Sequence, residues 1–232
     1  MASVAALVPA AGMGLRLGET LPKAFVDLGG RTLLDWALDG LLASGALSHV
    51  VVVVPELLVD RTREICARTA GDLPIEVVVG GAERADSVRA GLQAAARADV
   101  ILVHDAARCL TPPETVARVV DAVIAGSPAV VPVLPVVDTM KSVDADGVVT
   151  GTVDRASLRS VQTPQGFDAD VLRRAHAAAD HATDDAGLVE RLGVPVTTVA
   201  GHPEAFKITT PMDLVLARAV LAARHPVGSE SR

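Results

Sequence analysis

Pro9, Ala10, Ala11, Gly12, Met13, Gly14, Leu15 and Arg16 follow an apolar run, and Leu21, Pro22 and Lys23 come a few positions later. Small residues directly after a strand let the backbone approach a ligand closely, with amide groups turned toward an anion. Arg16 and Lys23 place positive charge beside those amides, a combination that suits a nucleoside triphosphate. It is not a Rossmann GxGxxG, because Leu17 takes the third glycine position, nor a Walker A loop, because Gly-Lys-Ser/Thr is absent. A bare GxG is also compatible with an ordinary turn, and each cation with a solvated surface charge.

A second cluster, Val103-His104-Asp105-Ala106-Ala107-Arg108, closes another apolar run. The carboxyl end of a strand is where open α/β sheets bind ligands. There Asp105 suits a ribose hydroxyl or a magnesium ion accompanying phosphates, and Arg108 an anionic second substrate. The plainer alternative has Asp105 capping a turn. For His104 the favoured reading is a buried, hydrogen-bonded histidine. Lysine usage adds a hint: of 21 basic residues only Lys23, Lys141 and Lys207 are lysine. A lysine is a compact point charge suited to one phosphate oxygen, whereas arginine favours bidentate geometry.

These residues need elements to hold them. Apolar, β-branched runs alternate with Ala/Leu/Arg segments of helical period, the pattern of a mostly parallel sheet covered on both faces. Strands are expected at Ser3–Val8, His49–Val54, Ile75–Val79, Val100–His104, Ala129–Val133 and Pro195–Ala200. Helices are expected at Thr32–Ala43, Glu56–Thr69, Ala85–Ala96, Pro113–Ala125, Ala169–Ala179 and Pro211–Arg224. Proline is tolerated at the first helical position, which supports the last helix and the one beginning at Pro113. Val137–Val143 and Val148–Val153 flank Asp144-Ala145-Asp146-Gly147 and predict a β-hairpin. An isolated hairpin is marginal in water, so it must pack on something: a second copy of the chain or its own domain.

With 232 residues, the chain has room for one sizeable core, expected over 1–225, with an arm at 137–157 and a flexible tail at 226–232. The formal charge of −7 offers no general cationic field for polynucleotide or anionic lipid. Phe25, Trp36, Phe167 and Phe206 are the only aromatic residues, which argues against a base-stacking platform. Neither nucleic acid nor membrane is therefore an expected partner. Cys66 and Cys109 have no metal or disulfide spacing. No apolar run approaches the roughly 20 residues of a membrane span, and no leader pattern precedes the first strand. A cytoplasmic protein is expected.

Taken together, six segments carry a resemblance. They are Pro9-Ala10-Ala11-Gly12-x-Gly14-x-Arg16 with Pro22-Lys23, Gly80-Gly81-x-Glu83-Arg84-x-Asp86-Ser87-Val88, Val103 to Arg108, Asp138-Thr139-x-Lys141, Thr163-Pro164-Gln165, and Lys207-Ile208-Thr209. In that order they resemble the 2-C-methyl-D-erythritol 4-phosphate cytidylyltransferases, from about residue 3 to about 224. The resemblance implies a Rossmann-like α/β nucleotidyltransferase with a protruding β-hairpin dimerisation arm, using CTP and Mg2+. It departs from the family at Cys109, where many relatives have proline, and at Ala82, where an acidic residue is common.

By the same resemblance, Arg16, Lys23, Arg155 and Lys207 are catalytic. Pro9, Ala10, Ala11, Gly12, Met13, Gly14, Gly81, Ala82, Ser87, Asp105 and Ala106 bind the nucleotide, with Asp105 also on the metal. Arg108, Thr139, Arg155, Thr183 and Lys207 surround methylerythritol phosphate, Thr139 and Arg155 reaching in from the neighbouring subunit of a homodimer. Local alternatives stand beside these roles: Ser87 bonding its own helix backbone, Thr183 as a helix N-cap before Asp184-Asp185, and Lys141 as a solvated strand residue. Rival functions are transfer to another polyol phosphate such as ribitol 5-phosphate, guanylyl or uridylyl transfer, and a non-catalytic nucleotide-binding regulator.

Overall fold

Val4–Pro9 forms the first strand, β1, and Val4 to Val8 are all buried, as a strand covered on both faces requires. The computed structural model describes residues 2–12, 22–69, 71–81, 83–178 and 184–224. Met13, Gly14, Arg16, Ala82, Thr183 and the tail from 226 lie outside these residues.

After β1 come two short strands, β2 (Asp27–Leu28) and β3 (Arg31–Thr32), that pair with each other. Helix α1 (Leu33–Ala43) follows, its first turn closed by a capping box in which Thr32 Oγ1 accepts the Asp35 N–H at 3.2 Å and Asp35 Oδ2 accepts the Thr32 N–H at 3.0 Å. Strand β4 (His49–Val54) leads through a 3-10 turn at Glu56–Leu58 into α2 (Val59–Thr69). Then come β5 (Ile75–Val79), α3 (Arg84–Ala94), β6 (Val100–Val103) and α4 (Pro113–Ile124), with Pro113 opening the last of these. The chain continues through β7 (Ala129–Pro135), β8 (Met140–Val143), β9 (Val149–Val153), β10 (Arg159–Val161) and β11 (Gln165–Asp168). Helices α5 (Ala169–Ala178) and α6 (Asp185–Arg191), strand β12 (Thr197–Ala200) and helix α7 (Pro211–Arg224) complete it.

The main sheet runs β10-β7-β11-β6-β1-β4-β5, with β12 pairing β7. Pairs β1·β4, β1·β6, β4·β5 and β12·β7 are parallel, while β11 runs antiparallel to both β6 and β7, and β10 antiparallel to β7. The expected mostly parallel sheet is present. Two apolar layers cover it. Val4, Ala6 and Val8 of β1 face one cluster with Leu34, Leu38 and Val119, and Ala5 and Leu7 face another with Val88, Leu92 and Leu172. Each fully buried leucine contributes about 1.5–3 kcal/mol of transfer free energy. A third cluster seats α7 on β2 and α1, through Leu28, Leu33, Ala37, Ala217 and Leu221.

The structure corrects some boundaries and adds elements. The helix expected from Glu56 begins as a 3-10 turn and becomes α-helical at Val59, and the strand expected from Pro195 begins at Thr197. His104 follows the end of β6, where its N–H bonds the Leu7 carbonyl at 2.9 Å. Strands β2, β3, β10 and β11 were not expected, and helix α6 only through the reading of Thr183 as a helix N-cap. All are short, so each carries too few residues for a repeated apolar pattern to mark it.

The expected hairpin is β8 and β9, antiparallel and separate from the main sheet. Lys141 Nζ crosses it to Thr152 Oγ1 at 2.5 Å. Val137, Met140, Val143, Val148 and Val149 are all exposed along this arm. No helix among the described residues is long and apolar enough to cross a membrane.

Candidate active site

The carboxyl ends of β1 and β6 lie side by side, and the segments leaving them form one wall of a pocket. Pro9, Ala10, Ala11, Gly12, Lys23, Ala24, Glu83, Arg84, Ser87, Asp105, Ala106, Ala107 and Lys207 line it. Backbone hydrogen bonds fix each contributing segment. Ala10 N–H donates to Val53 O at 2.7 Å, and Lys23 N–H to Gly12 O at 2.9 Å, which brings Lys23 beside the small-residue loop. Ile208 N–H donates to Ala107 O at 2.8 Å, which delivers Lys207 from a remote part of the chain.

Asp105 is the electrostatic centre. Its Oδ2 accepts from Lys207 Nζ at 2.7 Å, and its Oδ1 lies 3.7 Å from an Arg84 guanidinium nitrogen. Burial raises the carboxyl pKa, but Lys207, Arg84 and Arg108 more than offset it and hold the group below the usual carboxylate value. Its backbone N–H donates to Thr163 Oγ1 at 3.0 Å, and Thr163 Oγ1 lies 3.1 Å from His104 Nδ1. Burial pushes the His104 pKa down to about 4, so it is a neutral, hydrogen-bonded core residue, as favoured from the sequence.

Ser87 lies in the first turn of α3, buried against the pocket, and its Oγ has no hydrogen-bond partner. The alternative in which it bonds its own helix is not what the structure contains. A buried hydroxyl without a partner is costly unless a ligand or water satisfies it. A Cβ on the neighbouring Gly81 would fall 2.2 Å from Asp86 Cβ, so only glycine fits against the residue whose carboxylate caps α3. Gly81 itself stands next to the lining rather than in it.

Arg108 is placed differently from the expectation of a cation facing substrate. Its guanidinium donates to Ala205 O at 2.8 Å and Val161 O at 3.1 Å, burial lowers its pKa, and it is not a lining residue. Thr139 and Arg155 are exposed on the arm and at its base and do not line the pocket of their own chain, with Arg155 donating to Val137 O. The cap of α6 is Asp184, whose Oδ1 accepts the Gly187 N–H at 3.0 Å, one residue beyond Thr183. Both cysteines are buried, and burial pushes Cys66 up to about 11 and Cys109 up to about 12, leaving inert thiols. Sequence reasoning missed Glu83, Arg84 and Thr163 as site residues, although all three lie within the quoted motifs.

A mostly parallel α/β sheet with a small-residue loop after its first strand, a lysine pair and one ionised aspartate at the strand ends defines a nucleotide-handling α/β enzyme. The chain belongs to the 2-C-methyl-D-erythritol 4-phosphate cytidylyltransferase family, whose model matches residues 4–223. It is 64% identical over 221 residues to the enzyme of that name from Rhodococcus jostii, covering 94% of this chain and 95% of the relative. It is 62% identical over 222 residues to that of Nocardia farcinica, covering 96% and 95%. The crystal structure of the Thermus thermophilus cytidylyltransferase shares 42% identity with a TM-score of 0.74, over 94% of this chain and 98% of that one. The 4-diphosphocytidyl-2C-methyl-D-erythritol synthase of Anaerococcus prevotii shares 28% identity with a TM-score of 0.82, over 95% and 98%. Its activity is therefore cytidylyl transfer.

Proposed function

We propose that this chain transfers the cytidylyl group of CTP to 2-C-methyl-D-erythritol 4-phosphate in isoprenoid-precursor biosynthesis, through a single domain over 1–225 that works as a cytoplasmic homodimer. An oxygen of the acceptor phosphate attacks the α-phosphorus. As that P–O bond forms, the bond to the bridging oxygen breaks and pyrophosphate leaves with its electron pair, giving 4-diphosphocytidyl-2-C-methyl-D-erythritol. The acceptor phosphate is ionised at neutral pH, so no dedicated general base is needed. The difficulty is bringing two anions together while charge builds on the transferred group.

Fixed cations meet that difficulty. Lys23, with Arg16, stabilises the triphosphate in the transition state, alongside the amides of Ala11, Gly12, Met13 and Gly14. Cytosine is read by backbone around Ala10, Ala11, Gly81 and Ala82 and by Ser87, and the unpartnered, pocket-lining Ser87 hydroxyl is the observation that carries this reading. Ribose sits near Asp105 and Ala106. Lys207 and Thr183, with Thr139 and Arg155 of a second subunit, surround the acceptor, while Arg108 is committed to the Ala205 and Val161 carbonyls.

Magnesium dependence is part of the same proposal. Among the described residues no group of three or more His, Cys, Asp or Glu side chains is placed to hold a metal. Asp105 alone, ionised and lining the pocket, fits an ion that takes most of its ligands from phosphates and water. Magnesium bound there supplies charge neutralisation for the phosphates.

The test is pyrophosphate release by purified protein with magnesium, crossing CTP, UTP, GTP and ATP with methylerythritol phosphate and ribitol 5-phosphate. Turnover is expected with CTP and methylerythritol phosphate. Turnover with the ribitol compound alone would overturn the acceptor, and none with any pair would favour the regulator.

A further inference from the structure

Arg84 stands between two carboxylates from distant parts of the chain. A single guanidinium nitrogen lies 2.7 Å from Asp185 Oδ2 and 3.7 Å from Asp105 Oδ1. Asp185, in the first turn of α6, has no exposed side-chain surface, and its other oxygen lies 2.9 Å from His176 Nε2 of α5. Asp105 is held on its other oxygen by Lys207 at 2.7 Å. The groups thus run from the core to the pocket in the order His176, Asp185, Arg84, Asp105, Lys207.

Asp185 does not line the pocket, and a buried carboxylate without cationic partners is strongly unfavourable. What it does for the site is anchor Arg84. Helix α6 is itself tied to the sheet, because Gln165 of β11 donates to Asp184 Oδ2 at 2.7 Å and accepts the Ala186 N–H at 3.1 Å. The anchor therefore sits on rigid structure. Lys207 differs: its side chain is 44% exposed and ends a flexible four-carbon stem. A carboxylate held by Lys207 alone would move with it.

We propose that Arg84, anchored by Asp185, is a positioning residue that holds the Asp105 carboxylate toward the nucleotide and lets Lys207 leave it for the acceptor phosphate. Arg84 acts through Asp105, and the arrangement keeps Asp105 paired while its lysine changes partner. This rests on the reading of Asp105 as a ligand of the nucleotide and its metal.

The experiment is a double-mutant cycle on CTP affinity, measured calorimetrically with magnesium and no acceptor, on the full-length chain. D105N and R84M are each expected to weaken CTP binding, by about ten-fold for loss of a charge-assisted contact. The double variant is expected to bind no worse than D105N. In steady state R84M is also expected to raise the KM for methylerythritol phosphate, because Lys207 then stays on Asp105. R84K keeps the charge but cannot span two carboxylates, so it should restore only part of the affinity. It carries the same cycle if R84M does not fold. Additive losses would make Arg84 a direct nucleotide ligand and overturn the proposal, as would unchanged CTP affinity in R84M or a fall confined to thermal stability. If D105N leaves CTP affinity intact, the reading of Asp105 itself fails, and this proposal with it.

Discussion

Lys23 and Asp105 are both charged residues of the pocket, but the fold treats them differently. Asp105 is partly buried, with three cations lowering its pKa against the effect of burial. Lys23 is carried by a short 3-10 turn whose first N–H is tied to Gly12 O, beside the loop where triphosphate charge is expected to develop. As a stabiliser of that charge, Lys23 is expected to contribute more to the transition state than to ground-state binding. The variant K23A is accordingly expected to lower kcat by about 10²–10³-fold, with a much smaller loss of CTP affinity. Steady-state kinetics paired with equilibrium CTP binding measures the split, and an effect on KM alone would refute the role. Lys23 and Asp105 are legible from their residue types and neighbours, whereas Ser87 and Lys207 take their roles from the family resemblance of the motifs that hold them. Arg84 lay in the same motif without an assigned role, because the partner that fixes it, Asp185, is 101 residues away in sequence.

At the scale of elements, the long strands and helices were legible from their apolar runs and helical period. Strand β11 was not, since it has four residues and a glycine within it. That glycine has a steric reason. A Cβ on Gly166 would lie 2.5 Å from Val119 Cγ1 and 3.1 Å from Leu102 Cδ2, so α4 packs against bare backbone. G166A should therefore destabilise the protein by about 1–3 kcal/mol through overpacking. Urea denaturation is the check: the midpoint should fall with the m-value unchanged. A neutral result would mean that α4 can shift outward without cost. Because β11 also leads directly into α5 and holds α6 through Gln165, the same substitution should weaken CTP binding by moving the Asp185 anchor.

For the whole molecule, the arm is the least self-sufficient part. Its two strands pair only with each other, and Val137, Met140, Val143, Val148 and Val149 are exposed. A two-stranded hairpin gains little stability in water by itself, which favours a second subunit as its support. If Arg155 serves the partner's pocket, R155A and K23A proteins should each be inactive yet complement when mixed. Random exchange of subunits makes half the dimers mixed, with one intact site in each, so activity should return to about a quarter of wild type. Failure to recover, with exchange verified by mass spectrometry, would place Arg155 in its own subunit's site. In an equilibrium sedimentation experiment, deletion of the arm residues is expected to yield monomer.

The amino-acid sequence by itself determined the alternating sheet and helices, the small-residue loop, the hairpin and the main charged candidates, because each is written in local patterns of a few to a dozen residues. Tertiary structure decided which of those charges meet. It turned Arg108 onto the carbonyls of Ala205 and Val161, drew Lys207 onto Asp105, left the Ser87 hydroxyl unpartnered at the pocket, and set Arg84 on the buried Asp185. The physical reason is range: backbone propensity and hydrophobic period act between near neighbours, whereas an ion pair depends on where two distant elements come to rest in the packed core.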